Sequence, residues 1–195
     1  MTDQELAQVI LAAREIGGSY GGIVEFLALT GQRREEVARL ELEELDLAQR
    51  VWTIPKSRTK NAKAHVVHLS EQSMALLRCL DRRGRCVFSP LGTKPFQNFS
   101  KAKRVLDQLS GVTGWRLHDL RRTCVSGMAR LGVAPHVADK ILNHQAGTIS
   151  GVAAVYQRHE FLAERREALD RWGAHLVRIV AEDSRGAHGN IRRAA

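Results

Sequence analysis

Five side chains of this sequence, Arg33, His118, Arg121, His144 and Tyr156, have the types and the order to do chemistry on a phosphate. In His118-Asp119-Leu120-Arg121, the histidine and arginine stand three apart, so a helix projects both from one face. The guanidinium fork matches two phosphate oxygens, and a neighbouring imidazole can donate a hydrogen bond or carry a proton. In Thr30-Gly31-Gln32-Arg33-Arg34-Glu35-Glu36-Val37, Gly31 breaks an apolar helix and Arg33 opens the next, where the helix dipole adds to its charge. The alternative is a solvated arginine pair neutralised by Glu35 and Glu36. Leu142-Asn143-His144 precedes a short apolar helix (Ile149, Val152, Val155) that ends in Tyr156. That tyrosine is either an amphipathic surface residue or a nucleophile. The second role needs a phosphate whose charge is already neutralised, because phenol is weak at neutral pH.

The elements that must position these residues can be read in order. Thr2 to Ile16 reads as a helix stopped by Gly17 and Gly18, and Gly21-Gly22 as a second break. Ile23 to Leu29 is fit for a buried helix, and Arg33 to Leu45 for another. The period then changes. Val51 to Pro55 and His65 to Leu69 are short and β-branched, and they flank the polar loop from Lys56 to Ala64, which predicts an antiparallel hairpin. Its tip carries Lys56, Arg58, Lys60 and Lys63 and no acid, a pattern suited to phosphate contact. Ser70 caps the next helix, and Cys86-Val87-Phe88 reads as a third strand. Phe96 to Leu109 is a helix bearing Lys101, Lys103 and Arg104. From Leu117 the chain is helical almost to Ala181, with breaks near Gly132, His144 to Gly151 and His159. The expected fold is α+β, mainly helical, with helices around an antiparallel sheet of about three strands; no βαβ alternation appears.

A chain of 195 residues, 44% hydrophobic and 26% charged, suits one soluble domain. Cys79, Cys86 and Cys124 are scattered, which fits a reducing compartment. The first residues are acidic where a secretion signal is basic, and no apolar run approaches ~20 residues, so a cytoplasmic protein without membrane contact is expected. A net charge of +9 favours a polyanionic partner. His65, His68, Cys86, His118 and His144 lack the compact spacing of a metal site, and no metal or cofactor is expected. Cys124, Val125 and Met128, on the far side of the His118 helix, read as core. Trp115 reads as a core anchor or a base-stacking platform, and Trp172 as core or a partner-docking face.

Four blocks in order give the chain a resemblance to the catalytic domain of the tyrosine recombinases, the phage integrase family, above all to prophage and genomic-island integrases. T-G-Q-R-R-E-E-V at 30–37 resembles the first box and implies Arg33 as the first catalytic arginine. R-T-K-N-A-K-A-H-V-V-H-L at 58–69 resembles the lysine hairpin and implies Lys60, with Arg58 and Lys63 as rivals. L-H-D-L-R-R-T at 117–123 implies His118 and Arg121; L-N-H at 142–144 with S-G-V-A-A-V-Y at 150–156 implies His144 and the nucleophile Tyr156. The resemblance spans roughly 22–177. His68 stands where the family usually has proline, and Asn143 where it commonly has glycine.

This likeness implies a catalytic domain over 1–182 with a basic, disordered tail over 183–195, and an absent N-terminal core-binding domain, since about thirty residues precede the first box. It implies site-specific DNA recombination through a covalent 3′-phosphotyrosyl intermediate, without metal or cofactor. Double-stranded DNA attachment sites and further protomers in a DNA-bound tetramer would be the partners, the chain being a monomer without DNA. Lys56, Arg58, Lys63, Lys101 and Arg122 are the further candidate DNA contacts. The competing functions are a non-catalytic DNA-binding module of the same fold and a type IB topoisomerase-like relaxase.

Overall fold

The structure, a computed structural model, describes residues 1–59, 62–80, 84–144 and 160–191, with side chains as far as 185. Helix α1 (Asp3–Ile16) starts at a capping box. The Thr2 hydroxyl accepts the Glu5 N–H, and the Glu5 carboxylate accepts the Thr2 N–H at 2.7 Å. Leu6, Val9, Ile10 and Ala13 form its buried stripe. Helix α2 (Gly18–Thr30) corrects the expected break at Gly21-Gly22, which lie inside it. A Cβ on Gly21 would stand 2.1 Å from the Ala13 carbonyl oxygen, and one on Gly22 3.0 Å from the Phe88 ring. These glycines let α1 and Phe88 approach the α2 backbone; they do not end the helix.

The helix expected over Arg33 to Leu45 is also corrected. Helix α3 (Arg34–Ala38) stops after five residues, because the following backbone is claimed by another segment. The Leu40 carbonyl accepts from Val87, Leu42 donates to the Arg85 carbonyl, and Glu41 forms an isolated bridge with Cys86. A single 3₁₀ turn (Leu42–Glu44) leads into β1 (Leu45–Asp46). The third strand of the sheet is therefore β1, and Cys86 contributes only that bridge. Strands β2 (Val51–Ile54) and β3 (His65–His68) form the expected hairpin, with Val51 opposite His68 and Ile54 opposite His65; the order is β1-β2-β3, antiparallel throughout. Trp52 and Ile54 point inward, and Phe26 packs on the rings of Trp52 and Phe88 at centroid distances of 5.7 and 5.5 Å.

Helix α4 (Glu71–Cys79) is capped by Ser70, whose hydroxyl accepts from the Ser73 N–H. Helix α5 (Phe99–Ser110) buries Leu106 and exposes Lys101 and Arg104. Helix α6 (Leu117–Arg130) carries the second box, with Cys124 and Met128 fully buried and Val125 half-buried. Helix α7 (Pro135–Ile141) begins on proline, whose missing N–H costs nothing in a first turn.

The last helix, α8 (Leu162–Ile191), extends past the expected boundary at 182 into the basic tail. Leu169, Trp172, Leu176 and Ile179 are buried against this same chain, where α8 packs on α1, α2, α4, α6 and α7. The Trp172 indole N–H donates to the Ala28 carbonyl at 2.8 Å, and the ring lies where a Cβ on Gly127 would be, so Trp172 is core. No helix among the described residues is long and apolar enough to cross a membrane.

Candidate functional site

The site begins where α2 ends. Gly31 takes the left-handed conformation that closes the helix (φ 64°), a backbone position that costs glycine least. The chain then turns extended at Arg33, and Glu36 holds that residue twice. The buried Glu36 carboxylate accepts the Arg33 backbone N–H at 3.0 Å and its guanidinium at 2.9 Å. A five-residue α3 supplies little dipole, so the anion-binding charge here is that of Arg33 itself.

Arg121 reaches the same place from the middle of α6. It is 4% exposed, and its guanidinium donates to the Gly31 carbonyl at 2.8 Å and to the Leu142 carbonyl at 2.5 Å. Burial, and then the positive charge of Arg33, lower its pKa to about 10, so it stays charged at neutral pH. His118, one turn earlier on α6, is exposed and shares with Arg33 a cleft of about 600 Å³ that Gln32, Trp115 and Arg116 also line. Partial burial, and then the charges of Arg121 and Arg122, push the His118 pKa below its ordinary value and favour the neutral imidazole.

His144 follows α7. Its Nδ1 lies 3.3 Å from an Asp139 carboxylate oxygen, and its backbone N–H donates to the Asp139 carbonyl. Asn143 has φ 52°; among non-glycine residues asparagine adopts this left-handed conformation readily, which accounts for its standing in for glycine. His68, in place of proline, bonds Asp170 of α8 at 3.2 Å and ties the hairpin to that helix. Lys60 and Tyr156 lie outside the described residues.

The phage integrase family model matches residues 1–161. The chain belongs to the phage integrase family. Among relatives of known name, this family member is 29% identical over 160 residues to the prophage integrase IntA of Escherichia coli K12, covering 80% of this chain and 38% of that one. It is 27% identical over 125 residues to the integrase of Salmonella phage P22, covering 57% of this chain and 32% of that one. The chain thus spans about a third of the length of these relatives. Its fold is that of solved recombinases. The XerA recombinase superposes with a TM-score of 0.63 at 21% identity, over 80% of this chain and 60% of that one. The XerH recombinase, solved bound to its difH substrate, superposes with a TM-score of 0.60 at 16% identity, over 75% and 47%.

Within this integrase-family fold, Arg33 and His118 line one cleft, the buried Arg121 is bonded to the Gly31 carbonyl close enough for its charge and that of Arg33 to act on each other's surroundings, and His144 leaves α7 two residues beyond the Leu142 carbonyl that anchors Arg121. The further candidate contacts divide. Lys56, Lys63, Lys101 and Arg122 are exposed, Arg122 lying 3.1 Å from Asp119. Arg58 turns inward to the Glu44 carboxylate and the Arg39 carbonyl, where it braces the root of the hairpin. Trp115 is buried beneath Lys103, whose ammonium sits 3.9 Å from the ring centroid, which removes it as a stacking platform. Sequence reasoning took Glu36 only as a neutraliser of a solvated arginine pair, whereas it is buried and holds Arg33, and it missed Gln32 and Arg165. Gln32 donates to the Thr30 and Ile141 carbonyls, and Arg165 is buried with its guanidinium on the Val66 carbonyl; no local pattern marks either. Among the described residues no three His, Cys, Asp or Glu side chains gather to hold a metal ion.

Proposed function

We propose that this chain is the strand-cleaving and rejoining domain of a site-specific DNA recombinase. The observation that carries the proposal is that Arg33, held by Glu36, and the neutral-leaning His118 line one open cleft, while the buried Arg121 is fixed by the Gly31 and Leu142 carbonyls within electrostatic reach of both. Two fixed guanidinium groups match the non-bridging oxygens of a phosphodiester and stabilise the charge that builds on its pentacovalent centre.

In this mechanism the Tyr156 oxygen attacks phosphorus in line. The bond from phosphorus to that oxygen forms as the bond to the 5′-oxygen breaks, leaving a 3′-phosphotyrosyl link and a free 5′-hydroxyl. His118 takes the phenol proton, Lys60 gives one to the leaving oxygen, and His144 donates a hydrogen bond to a phosphate oxygen. A second 5′-hydroxyl reverses the step, so strands exchange without an external energy source. The exposed Lys56, Lys63, Lys101 and Arg122, and the net charge of +9, supply sequence-independent attraction to duplex DNA.

The partners are double-stranded attachment sites and, on DNA, further protomers in a tetramer. Without DNA the chain is a monomer, a reading supported by the burial of the α8 apolar stripe within its own fold. A nicked suicide DNA tests the activity: a covalent protein–DNA adduct is expected. Its absence overturns catalysis in favour of a DNA-binding module, and relaxation of any supercoiled plasmid by the monomer favours a type IB relaxase.

A further inference from the structure

The last turn of α7 presents carbonyls that its own helix cannot satisfy. The amides of Leu142, His144 and Asn143 take those of Ala138, Asp139 and Lys140. The next two carbonyls, of Ile141 and Leu142, receive donors from distant elements. Gln32 Nε2, just past α2, donates to the Ile141 carbonyl at 2.9 Å, and Arg121 of α6 donates to that of Leu142. The second partner of the Ile141 carbonyl is His65 Nε2, at 3.0 Å, from the first residue of β3.

We propose that His65 is a positioning residue of the cleavage reaction: its imidazole N–H fixes the Ile141–Leu142 turn, and through it the guanidinium of Arg121 and the departure of the chain to His144. The inference rests on the recombinase reading and deepens it. His65 is suited to this by placement. It is 6% exposed, it pairs across the hairpin with Ile54, and the carbonyl of its neighbour Val66 is itself held by Arg165. A carbonyl only accepts, so Nε2 carries the proton in this contact. Burial, then the charges of Arg165, Arg121 and Arg33, lower the His65 pKa to about 4, so at neutral pH the ring bonds the turn without adding a third positive charge beside the arginine pair. The hairpin that carries the lysine block is thereby fastened to the box that carries His144.

The test compares His65→Gln, which keeps an N–H donor, with His65→Leu, which does not. Because Gln32 still serves the Ile141 carbonyl, both variants should melt near the parent. At saturating suicide DNA, His65→Leu should slow adduct formation by about tenfold or more, the scale of a small misplacement of catalytic groups, with half-saturating DNA unchanged, and His65→Gln should recover most of the rate. Hydrogen exchange is read alongside, without DNA: the Leu142, Asn143 and His144 amides should exchange faster in His65→Leu and as in the parent in His65→Gln. Parental cleavage by a well-folded His65→Leu, equal loss in both variants, or unchanged exchange at 142–144 would overturn the proposal. A parent that forms no adduct would refute the recombinase reading, and the exchange arm still decides whether His65 holds the turn.

Discussion

Arg121 donates from the centre of α6 to the carbonyl of Gly31, two residues before Arg33. The second arginine of the site is thus bonded to the turn that delivers the first, whose own guanidinium is held by Glu36. Arg33 is 30% exposed at its side chain, whereas Arg121 is buried. The two should fail differently.

Replacing either arginine by lysine keeps the charge and loses the fork. Cleavage should fall ~10²-fold or more in each, by analogy with removal of one oxyanion donor. Only Arg121→Lys should also lower the melting temperature, because it abandons buried carbonyls of Gly31 and Leu142. Single-turnover rates with thermal melts check both halves; parental rates in both variants would end the clamp.

The pH profile follows from His118. In the proposed mechanism its neutral form is the base, so cleavage should fall as pH drops through its pKa. Because burial and the neighbouring arginines depress that pKa, the acid limb should lie below the ordinary histidine value of 6.5. Arg122→Gln removes one of these charges and should move the limb upward; a limb that stays put under this change would remove Arg122 from the account.

Lys60→Ala should slow cleavage of ordinary DNA. A substrate with a 5′-bridging sulfur needs little protonation of its leaving group and should be cut nearly as fast by the variant as by the parent. An equal defect on both substrates would make Lys60 a DNA-positioning group and turn attention to Lys63.

Gly127→Ala places a methyl where the Trp172 ring lies, at a Cβ distance of 2.1 Å. Overpacking of this kind costs about 1–3 kcal/mol. The variant should lose that stability in urea unfolding, and the loss should be shared by α8, read as faster exchange at Leu169 and Leu176. Unchanged stability would mean that α8 is not held where Trp172 meets α6.

Much of the candidate site was legible in the sequence because its residues come in local clusters. His118 and Arg121 share one helix face by spacing alone, and the β-branched runs around 51–69 gave the hairpin, though not its register. What was not legible depends on contacts distant in the chain. Gly21 and Gly22 look like a break until the Ala13 carbonyl is seen beside them. The helical pattern after Arg33 is overridden when Leu40 to Leu42 bond the segment at 85–87, which also moves the third strand from Cys86 to Leu45. Arg58 looks like a free hairpin cation until Glu44 is placed against it. His65, Gln32 and Arg121 meet at α7 from three separate elements, and no spacing rule joins them.

The proposed mechanism requires that Tyr156 attack a DNA phosphate held at this cleft. The most direct measurement is to trap the chain on nicked suicide DNA and map the linked residue by peptide mass spectrometry. A single adduct at Tyr156, abolished in Tyr156→Phe while DNA affinity and melting temperature are kept, is the predicted result. The other tyrosine of the chain, Tyr20, is 4% exposed and packed against Phe96 and Phe99, out of reach of DNA. An adduct at Tyr20, an adduct that survives Tyr156→Phe, or none from the parent would contradict the account.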